Sequence, residues 1–517
     1  MSSKKKTFDA YLLLWILLLG TAIAFFFITT GFAVFPSKYK SLLMFVLAAV
    51  VLLMFILYIK SRKKGRVFVS IINLLLSVCL VAGSFFIKDV DTRMRGIFTN
   101  IDNLENAEVI YNVYSLNDEY LASHPEIKTN VPESEDYKDY AGNTYICKDD
   151  DSKGKLKDMF EDELEIIDKE DVISAVEALY SGEGELLVLN DSYVSAIEEF
   201  DDFKNFSKDT KVVFEVLEEI IPEEPVYGTD ITNTPFTVYV AGEDTRRSNL
   251  STYGRTDVNL LAVVNPNTKQ VMIVGIPRDA YVNNPALRNG EDKLTHLGNN
   301  GITNSMKGVS NYLGIDIEHY LVVNFVTFKK IIDAVGGVDI YNPYYFNTYG
   351  GNGASYSSQN YEFPKGNIHL TGDSGLAYVR ERYNLPKGDF DRNEHQTIVL
   401  KGLVQKLSDK SVIYNYQSIL DALQGQFLTD VSVDDIYKLI SMQLGDMADW
   451  TVINYHLGGK GDMCGTVSMG WGRKLYVVHL FDSQISLIQE EYQKMYNNEV
   501  ITQQELPNSS DTKYIPN

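Results

Sequence analysis

Cysteine is nearly absent: the chain has three in 517 residues. Cys79, Cys147 and Cys464 are too far apart for a Cys-x-x-Cys pair, which excludes zinc ribbons, thioredoxin-type redox motifs and a disulfide scaffold. Nothing local supports a bridge between Cys147 and Cys464. The seven histidines are scattered, and no His-Glu-x-x-His or Gly-x-Ser-x-Gly run occurs, so neither zinc-peptidase nor serine-hydrolase chemistry has its motif. No repeat of 20–50 residues exists, which excludes solenoids and propellers. Basic excess is also lacking. The net charge is −22, and residues 101–230 carry an acidic excess at least that large. Nucleic acid is therefore not an expected partner.

Long uncharged runs, by contrast, open the chain. Ala10 to Gly31, Leu42 to Ile59 and Val67 to Ile87 are each about long enough to cross a ~30 Å hydrocarbon core. The first is too long for a signal-peptide core and lacks a small-residue cleavage site. Lys4, Lys5 and Lys6 precede the first run, and Lys60, Arg62, Lys63, Lys64 and Arg66 separate the second from the third. The positive-inside rule places both clusters in the cytoplasm. Three crossings then leave everything after Ile87 outside. The expected layout is a membrane region at 1–90, a smaller extracellular accessory domain at 98–225, a larger domain at 230–490 and a flexible tail at 491–517.

Within 98–225 the pattern predicts strands at Val109–Tyr114 and Glu185–Leu189 and helices at Lys155–Phe160 and Asp171–Tyr180. Its many carboxylates read as a solvated acidic surface. Pro222, Pro225 and Pro235 mark a boundary. Beyond it, Phe236–Ala241, Val258–Val264, Gln270–Ile276 and Tyr320–Phe325 read as strands. Phe328–Val335, Thr371–Tyr378 and Asp391–Leu407 read as helices. Alternating strands and helices imply an α/β fold with helices packed on a mixed sheet.

Strand spacing also predicts a chemical cluster. Asn265-Pro266-Asn267-Thr268 is a turn, so Asp257 before one strand and Arg278 after its partner meet at the open end of a hairpin. If the preceding strand joins this meander, Asp244, Arg255, Asp257, Arg278 and Asp279 share one rim. Carboxylates beside several guanidiniums suit a hard cation held with a phosphate; an ordinary rim ion-pair network is the competing reading. A second group, Arg380-Glu381-Arg382 and Asp391-Arg392-Asn393-Glu394-His395-Gln396, puts Arg392 and Gln396 on one helical face. So many arginines suit a pyrophosphate.

These segments carry a family resemblance. Gly254-Arg255-Thr256-Asp257, Ile276-Pro277-Arg278-Asp279-Ala280-Tyr281-Val282 and Lys293-Leu294-Thr295-His296 resemble the LytR–CpsA–Psr proteins, as do Val335-Gly336-Gly337-Val338, Leu370-Thr371-Gly372, Ala377–Arg382 and Asp391–Gln396. The resemblance runs from about Phe236 to Leu407. Three spans and an intervening acidic domain are similar to the capsule-biosynthesis branch. The first motif departs in having Glu243 where many members carry a small or apolar residue. The resemblance implies a mixed sheet with an apolar tunnel for a polyprenyl chain, for which Phe325, Phe328, Ile331 and Ile332 are candidates beside plain core packing. It implies that Asp244 and Asp257 hold Mg2+ (or Mn2+). It also implies that Arg255, Lys293, Arg392 and Gln396 bind substrate, and that Arg278, Arg380 and Arg382 stabilise the transferred phosphoryl group. Asp279 and Asp391 both stand as candidates to accept the acceptor's proton.

The implied function is a magnesium-dependent extracellular phosphotransferase joining an undecaprenyl-pyrophosphate-linked polysaccharide, expected to be capsular, to peptidoglycan. Membrane lipid and capsule-assembly or kinase membrane subunits are the further expected partners. A lipid pyrophosphatase would use the same site with water as acceptor. A non-catalytic membrane regulator of capsule synthesis needs no cation–arginine constellation. Rim carboxylates serving only a cation are expected to contribute little stability, under ~1 kcal/mol.

Overall fold

A computed structural model describes residues 10–97, 107–148, 150–160, 164–220, 230–243, 251–351, 359–409, 418–422 and 427–506. The three apolar runs form helices α1 (Ala10–Gly31), α2 (Ser37–Lys60) and α3 (Lys63–Ile97). All three are long and apolar enough to cross a membrane. At 35 residues, α3 is roughly 52 Å long at 1.5 Å per residue, well beyond the hydrocarbon thickness. Its far end is polar and held by i,i+4 pairs, Asp89–Arg93 and Asp91–Arg95, both 3.0 Å.

The acidic segment folds as its own α/β unit. Strands β1 (Ala107–Leu116), β2 (Thr144–Cys147), β3 (Glu165–Asp168), β4 (Leu186–Asn190) and β5 (Thr210–Ile220) form one sheet in the order β3-β2-β4-β1-β5. Helices α4 (Asp150–Met159) and α5 (Val172–Ser181) pack on it. Asp171 caps α5 in a reciprocal box with Ser174, and its apolar residues fill the core with Leu187, Leu189 and Phe206. Cys147 is buried here, and neither it nor Cys79 or Cys464 is in a disulfide.

The second unit is built on a six-stranded mixed sheet. Its strands are β6 (Phe236–Glu243), β7 (Thr256–Asn265), β8 (Gln270–Gly275), β9 (His319–Asn324), β10 (Leu428–Thr429) and β11 (Thr451–His456). Their order is β10-β9-β6-β7-β8-β11. The meander β6-β7-β8 is antiparallel, while β9 and β11 flank it in parallel with β6 and β8. One core contains α6 (Ile302–Leu313) and α7 (Asp482–Tyr496). A second gathers α8 (Phe325–Ala334), α9 (Gly372–Arg380) and α10 (Asp389–Ser408). Ile332 is fully buried there, and Phe325 and Phe328 pack against it.

The tail begins later than 491. Helix α7 runs to Tyr496, and Ile501 and Leu506 are buried in the first core. Gln270 clamps Ile501 by accepting its N–H at 3.0 Å and donating to its carbonyl at 2.8 Å. Amphipathic spacing after Asp482 continues the fold past the expected boundary.

A hairpin of β12 (Gly459–Thr466) and β13 (Gly470–Leu480) joins the two units. Met469 and Leu475 lie inside the accessory core. Val172 N–H donates to the Ser468 carbonyl at 3.1 Å. Arg473 binds Glu177 and Asp202 at 2.7 and 2.8 Å. At the other end, α11 (Val433–Asp446) packs Tyr437 and Ile440 against Phe32, Val34, Val90 and Met94. Tyr39 Oη donates to the Gly445 carbonyl at 2.6 Å. The sheet unit thus rests on the membrane-helix ends opposite the Lys60–Arg66 turn.

Candidate active site

The rim follows from hairpin register. Asn265 Oδ1 accepts the N–H groups of Asn267 and Thr268 at 2.8 and 3.0 Å, and Lys269 takes a left-handed φ of 55°. This turn pairs Leu260 with Gly275 and carries the ladder to Ile276 N–H on the Asn259 carbonyl, 2.9 Å. Asp257 and Arg278 then meet, with Arg278 Nη1 donating to Asp257 Oδ1 at 2.9 Å. Both side chains are largely buried, 8% and 13% exposed. Breaking such a pair leaves a buried charge and costs about 3–5 kcal/mol. The expectation that the rim carboxylates contribute little stability is therefore corrected for Asp257.

Helices deliver the other cations to the same edge. A Cβ on Gly275 would collide with Asn393, so glycine lets α10 approach β8, where Asn393 Nδ2 donates to the Ile276 carbonyl at 3.2 Å. Arg392, one residue earlier, is buried and reaches Asp389 at 2.6 Å. Arg278 Nε lies 3.9 Å from both Asp389 and Asp279. A Thr371–Ser374 capping box opens α9, and Arg380 ends it with its guanidinium 3.8 Å from the Phe325 ring centre. Glu381 turns inward and accepts the N–H groups of Arg382 and Asn384 at 3.0 and 3.1 Å. That turn lets Arg382 leave the helix and donate to Tyr383 Oη at 2.8 Å.

The charge states reflect these neighbours. Burial alone would raise the pKa of Asp257, but Arg278, Arg255, Arg392 and Arg380 hold it well below the ordinary carboxylate range. Asp279 is likewise lowered against its burial by Lys293, Arg278 and Arg392. Arg278 is raised despite burial by Asp257, Asp279 and Asp389. Arg392 is lowered by burial and by Arg278 and Arg382, although Asp389 and Asp257 oppose this. Arg392 is thus desolvated and shares its carboxylates with Arg278, with Asp389 and Asp257 as the opposing charges.

Some expected site residues lie elsewhere. Asp391 accepts the Lys387 N–H at 2.8 Å, and its pKa is raised by burial beside Tyr344. It lies in the first turn of α10, reaches back to the residue before the N-cap and is not part of the arginine group. Gln396 lies one turn below Arg392 and approaches the Val379 carbonyl at 3.5 Å. Asp244 falls outside the described residues. Asp257 offers the chemistry a hard cation requires: it is ionised at neutral pH, and one of its two oxygens, Oδ1, is taken by Arg278.

Two other constellations lie apart from the arginine rim. Asp292, His296 and Ser468 are fully buried, and both His296 Nδ1 and Ser468 Oγ turn to Asp292 Oδ1, at 2.8 and 2.9 Å. The free ring nitrogen, Nε2, is not on the serine, so this ties a strand, a short helix and the hairpin turn together and is not an activated nucleophile. Asp462, Cys464 and His479 cluster on the outer face of β12–β13. Sequence reasoning missed Asp389, Ser195 and Glu199. Asp389 has only its three-residue spacing to Arg392 as a signal. Ser195 and Glu199 lie among ordinary acidic surface residues with no local motif.

The profile of the LytR–CpsA–Psr family matches residues 204–479, more than half of the chain. The polyisoprenyl-teichoic acid–peptidoglycan teichoic acid transferase TagU of Enterococcus faecalis is 37% identical over 206 residues, 40% of this chain and 64% of that protein. The protein of the same name from Bacillus anthracis is 34% identical over 206 residues, again 40% of this chain and 63% of that one. The chain thus spans less than two thirds of these relatives' length. Among solved structures, B. subtilis TagV is 24% identical, with 52% of this chain and 99% of that one covered and a TM-score of 0.41. Protein gbs0355 of Streptococcus agalactiae is 21% identical, with 54% and 93% covered and a TM-score of 0.44. Family profile and ordered motifs agree: the chain belongs to the LytR–CpsA–Psr family.

Proposed function

We propose that this protein is a membrane-anchored phosphotransferase that moves a polyprenyl-pyrophosphate-linked glycopolymer onto peptidoglycan outside the cell. The observation that carries the reading is the rim where Arg278, Arg380, Arg382 and Arg392 converge beside the buried carboxylate of Asp257. Phosphoryl transfer depends mainly on positioning and charge stabilisation, which such a rim supplies. A peptidoglycan hydroxyl attacks the phosphorus bearing the polymer's first sugar. The new P–O bond forms, the anhydride P–O bond breaks, and polyprenyl phosphate leaves. Arg278, Arg380 and Arg382 take up charge on the phosphoryl oxygens. Asp279, at the rim and ionised, is better placed than Asp391 to receive the hydroxyl proton, since geometry ranks before pKa.

Asp257, with Asp244 as a second ligand, would hold Mg2+ or Mn2+, which neutralises pyrophosphate charge when bound. Lys60–Arg66 would face the cytoplasm and both folded units the exterior, an arrangement supported by lysine and arginine placement and by the packing of α11 on the opposite helix ends. Capsular polysaccharide is the polymer we assign, from the three spans and the accessory unit. The teichoic acid in the relatives' names is the alternative. The test is an Arg380→Lys strain in which wall-bound polymer, released polymer and transcripts are measured together. Polymer released into the medium with unchanged transcripts supports transfer, and its sugar composition identifies the polymer. Normal attachment with altered transcription overturns it in favour of a regulator.

A further inference from the structure

Part of the rim comes from the accessory unit. Lys293 Nζ lies 3.1 Å from Glu199 Oε2 and 3.3 Å from Asp279 Oδ1, with 3% of its side chain exposed. Arg255 places Nη2 3.8 Å from Glu199 Oε1, and its Nη1 donates to Ser195 Oγ. Both cations belong to the edge that faces the pyrophosphate in the reading above. Lys293, expected as a direct substrate contact, is held between two carboxylates. Glu199 is one third exposed, at 34%.

The segment carrying these groups is anchored. Ala196 and Ile197 are fully buried in the accessory core, and Phe200 lies beneath the Arg473 guanidinium. Burial would raise the pKa of Glu199, but Lys293, Arg255 and His296 hold it below its ordinary value. A mere docking contact is the simpler reading. Docking, however, is already provided by Met469 and Leu475 in the accessory core and by Arg473. The Glu199 contacts fall instead on two cations of the rim, one of which also binds Asp279.

We propose that Glu199 is a positioning residue for the transfer reaction, fixing Arg255 and Lys293 from the accessory unit so that this unit is a working part of the active site. The inference rests on the phosphotransferase reading. It has a signature that a structural contact lacks. Glu199→Gln keeps size and one acceptor oxygen but removes the counter-ion. Arg255 and Lys293 then attract an anion more strongly while losing their fixed geometry. Binding should tighten as turnover falls, a split that separates ground-state from transition-state effects.

The experiment uses the full chain in nanodiscs with Mg2+. Farnesyl pyrophosphate binding is measured by calorimetry, and turnover is measured with a lipid-pyrophosphate oligosaccharide and peptidoglycan fragments. For Glu199→Gln we expect Kd about two- to tenfold lower and kcat about tenfold lower. Any other pattern in a folded variant overturns the proposal. If that variant fails to fold, Ser195→Ala, which leaves the charge intact, should lower turnover at unchanged Kd. Unchanged turnover there overturns it equally. Wild-type protein that binds no farnesyl pyrophosphate would overturn the phosphotransferase reading itself, a result distinct from an unaltered Glu199→Gln variant.

Discussion

Asp257 and Asp391 are both buried, 7% and 2% exposed, and they serve in opposite charge regimes. At the rim, guanidiniums outweigh desolvation and keep Asp257 ionised. At the aromatic wall behind it, desolvation prevails and raises Asp391 beside Tyr344. His395 belongs to that wall, stacked 4.2 Å from the Tyr378 ring and 4.9 Å from Phe346. Burial pushes its pKa down to about 3. Neighbouring charge, rather than depth alone, decides the direction in which each carboxyl shifts. The rim gathers charged groups, and the wall backs it with packed aromatic rings.

Removing the rim carboxylate tests this contrast hardest. Asp257→Ala should abolish turnover and cost about 3–5 kcal/mol by leaving Arg278 buried without its partner. Urea titration and a transfer assay check the two halves. A loss below ~1 kcal/mol would show that the pair is a surface contact and that the rim is not desolvated.

The wall predicts an acid limb of definite sign. His395 binds protons more readily unfolded, near pH 6.5, than folded, near 3. Its contribution is therefore complete above about pH 6.5 and is lost as pH falls towards 3. Between pH 6.5 and 4 this amounts to on the order of 3 kcal/mol. Asp257 and Asp279 act only lower, below the ordinary carboxylate pKa of about 3.9, because their folded values are depressed. His456, also pushed down to about 3 by burial, adds a similar share, so thermal unfolding of His395→Phe across this range should reduce the upper part of the limb by about half and leave the lower part. An unchanged upper limb would remove His395 as its source.

The smallest effect is expected at the joint between units. Arg473 is one third exposed, at 32%, so its pairs with Glu177 and Asp202 contribute under ~1 kcal/mol. Arg473→Ala should leave the melting temperature within a few degrees of wild type and hardly alter turnover. A large loss of turnover would mean that accessory-unit placement depends on this ion pair rather than on Met469 and Leu475.

The same physics sorts what was legible in the sequence. The Asp257–Arg278 contact follows from two strand runs and the Asn265–Thr268 turn, because register is local and a tight turn fixes which ends meet. Arg380-Glu381-Arg382 was legible as a helix end for a similar reason. Glu199 was not legible, since its partners Arg255 and Lys293 lie far along the chain and only docking of two units brings them together. The β12–β13 hairpin that performs this docking turns through Val467-Ser468-Met469, without an Asn-Gly or Asp-Gly pair to mark it. Asp391 was placed with the arginines because it adjoins Arg392 in sequence, yet successive helix positions diverge by about 100° and it faces Tyr344. The late tail boundary escaped notice because Gln270 anchors Ile501 from a distant strand.

The central claim is that guanidinium geometry at the rim, and not its charge alone, carries phosphoryl transfer. Arg278→Lys keeps the charge but cannot copy the paired parallel bonds of a guanidinium to phosphate. The direct measurement is single-turnover transfer from a polyprenyl-pyrophosphate oligosaccharide to peptidoglycan fragments by the full chain, wild type against Arg278→Lys. The account predicts a loss of about tenfold to a thousandfold, roughly 1.4–4 kcal/mol of transition-state stabilisation. Wild-type rates from the lysine variant would contradict it.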